Sequence, residues 1–266
     1  MEFDIDRVAF SIFGLDVYWY GVIIVAGILV AAIFAKKEFE RRGYKADIVD
    51  DILFAILPIG VIGARIWYVI FEWDYYGSHL NEIIDIRGGG LAIHGGIIFG
   101  LIALYFFGKR RDIPMLDLTD IMTPSLAFAQ AVGRWGNFTN AEAHGYETNL
   151  PWGIIIDGVK VHPTFLYESL GDFLIFLFLV IYRKKNPIKG FQTGIYFLAY
   201  GVLRFFVEGL RTDSLYVFGL RTAQLVSIVF MIVGIALIIY AKRENLPPHF
   251  YKEKKKEKQD RIVKFK

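Results

Sequence analysis

At 266 residues, 55% hydrophobic and 21% charged, the chain is more apolar than a soluble domain of its size, which runs about 45–50% apolar and about 25% charged. A mean hydropathy of +0.42 excludes disorder and argues against a one-core soluble enzyme. The absence of cysteine excludes a disulfide, a thiolate metal site and a cysteine nucleophile, and the net charge of +3 matters less than where it lies.

The opening MEFDIDRVAF is acidic, unlike the cationic start of a cleaved signal peptide, so the first apolar run is expected to be a retained signal-anchor. A hydrocarbon core about 30 Å thick takes roughly 20 mostly apolar residues per helix. Seven stretches fit: 17–35, 48–71, 91–108, 117–136, 164–182, 192–210 and 222–241. The fifth and seventh contain the uncharged runs FLIFLFLVIY and LVSIVFMIVGIALIIY. The fourth is weakest, because it carries Asp117, Asp120, Gln130 and Arg134.

Basic residues set the orientation. Residues 36–47, 109–112, 183–190 and the tail 242–266 hold 22 of the 30 Lys and Arg; residues 1–16, 72–90, 137–163 and 211–221 hold 5. This loop-by-loop alternation places the first set in the cytoplasm. The expected fold is therefore an all-α polytopic membrane protein with seven transmembrane helices, N-out and C-in. Residues 1–241 form its membrane domain and 242–266 a basic cytoplasmic tail that attracts anionic headgroups. Segments 72–90 and 137–163 form a small extracytoplasmic head. Within 137–163, alternation around Asp157-Gly158 predicts a short β-hairpin, a plain connecting loop being the alternative. No 20–50-residue repeat is evident.

Ionisable groups in a span are costly unless they face protein or water. Tyr20, His94, Arg134, Asn137, His162, Glu168, Arg204, Glu208 and Arg211 all fall at the outer ends of spans, with no matching cluster at the inner ends. Polar groups at one depth suit an enzyme acting on outer-leaflet lipid, whereas a transporter for an anionic solute needs them along the whole path. A non-catalytic scaffold would leave the Gly-Arg-Asn clusters unexplained. Arginine suits a phosphodiester because its planar fork gives bidentate, charge-assisted bonds; histidine suits proton removal. Gly88, Gly89, Gly90, Gly95 and Gly96 around His94, and Gly133, Gly136 and Gly145 around Arg134 and Asn137, permit close backbone approach to a ligand. They equally suit turns or small-residue helix packing. Arg204–Glu208 is either an in-membrane pair or part of the chemistry. His162, before Pro163, is either functional or a turn residue, and Tyr20 either functional or part of an aromatic belt with Trp19. Arg65 either snorkels or is paired, and His79 and His144 read as solvated.

The segment GRWGNFTNAEAHG, residues 133–145, resembles the G-R-x-G-N-F-x-N-x-E-x-x-G signature of the prolipoprotein diacylglyceryl transferase family. Gly133, Arg134, Gly136, Asn137, Phe138, Asn140, Glu142 and Gly145 all stand in place. YWYG (18–21), GLAIHGG (90–96), HPTFLYE (162–168), YGVLRFFVEGLR (200–211) and RTAQLVSI (221–228) extend the likeness through all the spans in order. One departure is Tyr18, where some members carry His. No imidazole role transfers there, and Tyr20 alone is carried over.

The resemblance implies transfer of the sn-1,2-diacylglyceryl group from phosphatidylglycerol to the lipobox cysteine thiol of a prolipoprotein. The product is a thioether, sn-glycerol 1-phosphate leaves, and the setting is the bacterial cytoplasmic (inner) membrane with the active site toward the extracytoplasmic leaflet. The nucleophilic sulfur belongs to the substrate, so an enzyme without cysteine is no obstacle. No cofactor, metal or nucleic acid is expected. On this basis Arg134 with Arg204 or Arg211 grips the lipid phosphate and stabilises the leaving group, and His94 is the candidate base for the thiol. Asn137, Asn140 and Tyr20 orient headgroup hydroxyls, Gly145 joins the lipid site, and Glu142 holds an arginine. His162, Glu168, Tyr200 and Glu208 support these, the last with Arg204 and Arg211 on one helical face.

Overall fold

The computed structural model describes residues 6–86, 89–185, 187–217 and 219–249. Most of the tail, 250–266, lies outside them, as do Arg87 and Gly88. In chain order the elements are β1 (Val8–Ile12), β2 (Leu15–Tyr18), α1 (Trp19–Arg41), α2 (Ile48–Phe71), α3 (Trp73–Tyr76), a 3-10 turn (Leu80–Glu82), α4 (Ile93–Arg110) and α5 (Met115–Thr139). They continue with β3 (Ile154–Ile156), β4 (Val159–Val161), α6 (Thr164–Tyr182), a 3-10 turn (Arg183–Lys185), α7 (Phe191–Leu210), β5 (Tyr216–Val217), β6 (Leu220–Arg221) and α8 (Thr222–Glu244).

The protein is mostly helical, and α1, α2, α6 (with the 3-10 turn after it), α7 and α8 are long and apolar enough to cross a membrane. The other two stretches that match predicted spans are helices too, but more polar. The eighteen residues of α4 include His94, Lys109 and Arg110, and α5 carries Asp117, Asp120 and Arg134. The expected hairpin is present: β3 and β4 pair antiparallel, Ile154 opposite Val161. Asp157 (φ 50°) and Gly158 (φ 77°) make its turn, as positive φ at both central residues requires. Two further hairpins, β1–β2 and β5–β6, were not anticipated.

The chain forms two compact units. One comprises, of the described residues, 39–86, 89–118 and 249. Here α2 and α4 approach through small residues: the ring of Phe99 fills the space above Gly63, and Gly95 lies against the Gly63 carbonyl. Buried Arg65 donates to the carbonyls of Glu82 (2.6 Å), Ile83 (2.8 Å), Gly89 (3.3 Å) and Gly90 (3.0 Å), with Tyr76 beneath its plane at 4.9 Å. Its five N–H donors are largely spent on backbone, so this arginine ties Glu82, Ile83, Gly89 and Gly90 to α2. Buried Arg42 and Asp117 pair at 3.4 Å.

The other unit comprises, of the described residues, 6–38, 119–185, 187–217 and 219–248. Small residues again set the helix spacing, as expected where lipid tails compete equally for apolar side chains. A methyl group on Gly201 would meet the Ser227 carbonyl at 2.8 Å, and one on Gly136 the Tyr20 ring at 2.7 Å. Phe34, Phe128 and Phe176 interlock with centroids 4.9–5.2 Å apart beside buried Ala127, Leu179 and Tyr196. At one end of the bundle, buried Asp120 accepts from the backbone N–H groups of Gly190 (2.7 Å) and Thr193 (2.8 Å) and from Thr193 Oγ1 (2.6 Å). A carboxylate at these otherwise orphaned N–H groups caps α7 and complements its dipole.

Candidate active site

At the opposite end of this unit, the last turns of α5 and α7 meet the first turns of α6 and α8. α5 leads past Gly133 and Gly136, whose missing side chains admit Ile24 and Tyr20 of α1, and so presents Gln130, Arg134 and Asn137 in successive turns. Beyond Thr139 the chain turns back through two alanines with positive φ, Ala141 (53°) and Ala143 (59°), a conformation that costs roughly 1–2 kcal/mol for each. Two bonds hold the turn: Asn137 Nδ2 to Glu142 Oε1 at 2.8 Å, and Thr164 Oγ1 to the Ala143 carbonyl at 2.5 Å. Gly145 then bridges to Arg211 and donates to the His162 carbonyl at 2.9 Å. Any side chain there would strike His162 Cβ (2.7 Å) and the Leu210 carbonyl (2.8 Å), so only glycine fits.

The centre of the site is Glu168. Residues 165, 168, 169, 172, 176 and 179 of α6 are buried, the three-and-four spacing of one helix face. Glu168, 1% exposed, places Oε1 2.5 Å from Arg134 Nη2, an ion pair without hydrogen-bond alignment, and accepts from Arg204 Nη1 on Oε2 at 2.9 Å. Arg204 Nη2 donates to Glu208 at 2.7 Å. Arg211 Nε stands 3.9 Å from the same carboxylate and grips Asp213 bidentately at 2.9 and 2.6 Å. One chain of alternating charge thus runs from α5 through α6 and α7 into the loop beyond.

Within this chain the cations differ. Arg204 spends one nitrogen on each of two carboxylates, and Arg211 spends two on Asp213. Among the described residues Arg134 pairs with one carboxylate, and its side chain is the most exposed of the three, 22% against 16% and 13%. The Tyr200 hydroxyl lies beside the Arg134 guanidinium, and the Tyr200 ring stacks on Tyr196 at 5.8 Å. A guanidinium with donors to spare, held by one shared carboxylate, is built to receive a further anion.

The structure therefore gathers Arg134, Glu168, Tyr200, Arg204, Glu208 and Arg211, with Tyr20 against Gly136 two residues from Arg134. Asn137 and Glu142 are bonded to each other beside the turn, and Asn140 closes the end of α5 through a backbone bond to Gly136 (3.2 Å). Among the described residues Glu142, which is exposed, takes Asn137 rather than an arginine, while Arg134 is paired from α6 with buried Glu168. His162 sits outside the charged chain. It makes backbone bonds to Tyr146 and Gly145, and its Nδ1 lies 3.2 Å from the Tyr167 hydroxyl. His94 belongs to the other unit, exposed in the first turn of α4.

Two residues were missed at the sequence level. Arg221, at the start of α8, donates to the carbonyls of Glu208 and Arg211 (the latter at 3.1 Å), to Ser214 Oγ (3.1 Å) and to the Tyr146 hydroxyl (2.8 Å). It supplies donors to the last carbonyls of α7 and ties the hairpin region to them. Its only signal was a place at the edge of the RTAQLVSI match. Asp172, one helical turn beyond Glu168, is fully buried; its signal was that i, i+4 spacing. Outside the bundle, Asp213 is half-exposed. Burial raises its carboxyl, but the hydrogen bonds and charge of Arg211 outweigh this and hold it below the usual carboxylate range. A cleft of about 550 Å³ lies beside the hairpin, lined by Glu147, Thr148, Asn149, Gly158, Val159 and Lys160, and contains none of the arginines.

Apolar helices long enough to span a bilayer, with guanidiniums and carboxylates gathered where they end, define a polytopic membrane protein. The sequence model of prolipoprotein diacylglyceryl transferase matches residues 7–240. Phosphatidylglycerol–prolipoprotein diacylglyceryl transferases resemble the chain closely. That of Finegoldia magna is 55% identical over 240 residues, 90% of this chain and 97% of the relative; that of Clostridioides difficile is 49% identical over the same shares. The relative from Clostridium novyi is 44% identical over 248 residues, 90% and 96% of the two chains. The chain belongs to the prolipoprotein diacylglyceryl transferase family.

Proposed function

We propose that this chain transfers the sn-1,2-diacylglyceryl group of phosphatidylglycerol to the lipobox cysteine thiol of prolipoproteins, the first step of bacterial lipoprotein maturation. The substrate sulfur attacks the glycerol carbon that carries the phosphate ester. The S–C bond forms, the C–O bond breaks, and sn-glycerol 1-phosphate leaves. The observation that carries this reading is Glu168 holding Arg134 and Arg204 on its two oxygens. This leaves Arg134 the cation with donors free for a phosphodiester. Arg134 is assigned the lipid phosphate; Arg204 and Arg211 steady it and share the charge that develops on the departing phosphate.

Asn137, Asn140, Tyr20 and Gly145 are assigned to the headgroup side of the lipid site, Glu142 to holding Asn137, and Tyr200 and Glu208 to positioning the arginines. His162 supports the turn around Gly145. His94 is the base for the thiol, which reacts as thiolate. All seven long helices span the cytoplasmic membrane, N-out and C-in as the basic loops direct, so the arginine chain opens to the extracytoplasmic leaflet.

The test is direct. Protein in phosphatidylglycerol vesicles is given a lipobox peptide, and mass spectrometry follows addition of a diacylglyceryl group to cysteine. Addition that needs phosphatidylglycerol and yields glycerol phosphate supports the assignment. A peptide that stays unmodified, or is modified equally with phosphatidylcholine, refutes it.

A further inference from the structure

Gln130 is one of the polar residues that make the fourth apolar stretch the weakest, and the reaction above leaves it without a part. A primary amide inside an apolar bundle is costly unless it finds partners. Its oxygen has one: the buried Tyr196 hydroxyl donates to Gln130 Oε1 at 2.7 Å. The Nε2 group carries two further donors, and among the described residues neither has an acceptor. Gln130 is only half-buried, so these donors stay within reach of a ligand.

The place of Gln130 on α5 says which acceptor it meets. Gln130, Arg134 and Asn137 follow at four and three residues, the spacing of one helix face, and all three are half-buried. At about 1.5 Å of rise per residue, Gln130 stands about 6 Å deeper in the bundle than Arg134, and Asn137 about 4.5 Å nearer the end of the helix. One turn deeper still the face becomes apolar: Ala127 is buried with Phe176, Leu179 and Tyr196, and Phe34 and Phe128 pack against them. From its end inward, α5 therefore offers an amide, a cation, a second amide and then hydrocarbon. Phosphatidylglycerol has the same order, from headgroup glycerol through phosphate and ester carbonyls to acyl chains. An ester carbonyl accepts hydrogen bonds, donates none, and lies one glycerol unit deeper than the phosphate.

We propose that Gln130 Nε2 donates to an ester carbonyl of the lipid whose phosphate sits on Arg134, so that α5 selects a diacyl lipid over its ether-linked counterpart. The proposal rests on the assignment of Arg134 to the phosphate. Tyr196 is a positioning residue: by taking the amide oxygen it leaves the donor end for the lipid. An amide turned the other way would set its own oxygen against the ester oxygen, two acceptors with no proton between them.

The experiment compares transfer to a lipobox peptide from diacyl phosphatidylglycerol and from its dialkyl ether analogue, matched in headgroup and chain length, for wild-type protein and Gln130→Leu in vesicles. Exchanging ester for ether changes the reactivity of the neighbouring carbon equally for every variant. The quantity read is therefore the ester-to-ether ratio of kcat/KM, wild type against variant. That ratio is expected to be about three- to tenfold higher in wild type, the size of one net hydrogen bond, with the difference in KM. A purely structural role lowers transfer from both lipids alike, leaves the ratio unchanged, and overturns the proposal. Gln130→Leu also strands the Tyr196 hydroxyl, so Gln130→Leu with Tyr196→Phe, which removes both partners, is measured beside it and decides where the two disagree. Arg134→Ala separates the readings. Wild-type transfer there refutes the phosphate assignment itself, whereas lost transfer there, with a ratio that ignores Gln130, refutes only the role of Gln130.

Discussion

Arg134 and Glu168 meet at 2.5 Å, the first from the end of α5 and the second from the start of α6, with 33 residues between them, the β3–β4 hairpin included. The same carboxylate holds Arg204, so one acid sets the spacing of two cations. Substituting Glu168→Gln keeps the shape and removes the charge, leaving Arg134 without its counter-charge and Arg204 with Glu208 alone. Breaking a buried pair in this way costs about 3–5 kcal/mol. Thermal unfolding in detergent is expected to show a loss of that order together with loss of transfer. Wild-type stability would mean that other groups hold the arginines.

Gly145 and Gly158 separate two reasons for glycine. Gly145→Ala drives a methyl group into His162 and the Leu210 carbonyl, costing about 1–3 kcal/mol and displacing Arg211 through their shared bridge. Transfer is expected to fall by at least tenfold. Gly158 has nothing within 4 Å and only its φ of +77° to satisfy. Gly158→Ala therefore costs about 1–2 kcal/mol, confined to the hairpin. Peptide transfer rates for the two variants, measured side by side, check the contrast; equal losses would contradict it.

Asp213 gives a pH dependence with a defined sign. Its carboxyl lies below the ordinary value of about 3.9 because Arg211 binds the ionised form. The stabilisation is fully present above that ordinary value and disappears as pH falls through the lower, folded one. Asp213→Asn is expected to flatten the acid limb of the stability curve below about pH 4, read by thermal melts at successive pH values. An unchanged limb would mean that the pair contributes nothing.

Arg221 is the residue whose removal should resemble a loop defect more than a binding defect. Arg221→Ala leaves the carbonyls of Glu208 and Arg211 and the Tyr146 hydroxyl without their shared donor. Each such loss costs about 1–3 kcal/mol when buried. Lower thermal stability with a smaller loss of lipid affinity than in Arg134→Ala is expected, by melts and lipid titration. The reverse order would place Arg221 on the lipid.

Long apolar runs made the helices legible: α2 and α6 begin and end where composition alone put them, because charge and proline mark their ends. The signature around Arg134 likewise picked out residues that do converge. What the sequence could not carry was pairing across helices. Glu142 is near Arg134 in the chain yet bonds Asn137, whereas Glu168, 34 residues downstream, is the true counter-charge. Asp172 was hidden because it precedes the uncharged run FLIFLFLVIY and reads as the edge of a lipid-facing helix, when its face is the buried one. The β1–β2 hairpin was missed because Phe13-Gly14 is a turn within an apolar stretch, with Phe10, Ile12 and Leu15 all exposed, so no inside-outside alternation marks it.

The claim on which the rest depends is that the Arg134 guanidinium receives the lipid phosphate. Transfer to a lipobox peptide, measured for Arg134→Ala across a titration of phosphatidylglycerol, tests it most directly. Loss of one phosphate-binding donor set predicts a fall in kcat/KM of about 100-fold or more, with Arg134→Lys recovering part of it. A variant within a few-fold of wild type at every lipid concentration would contradict the account.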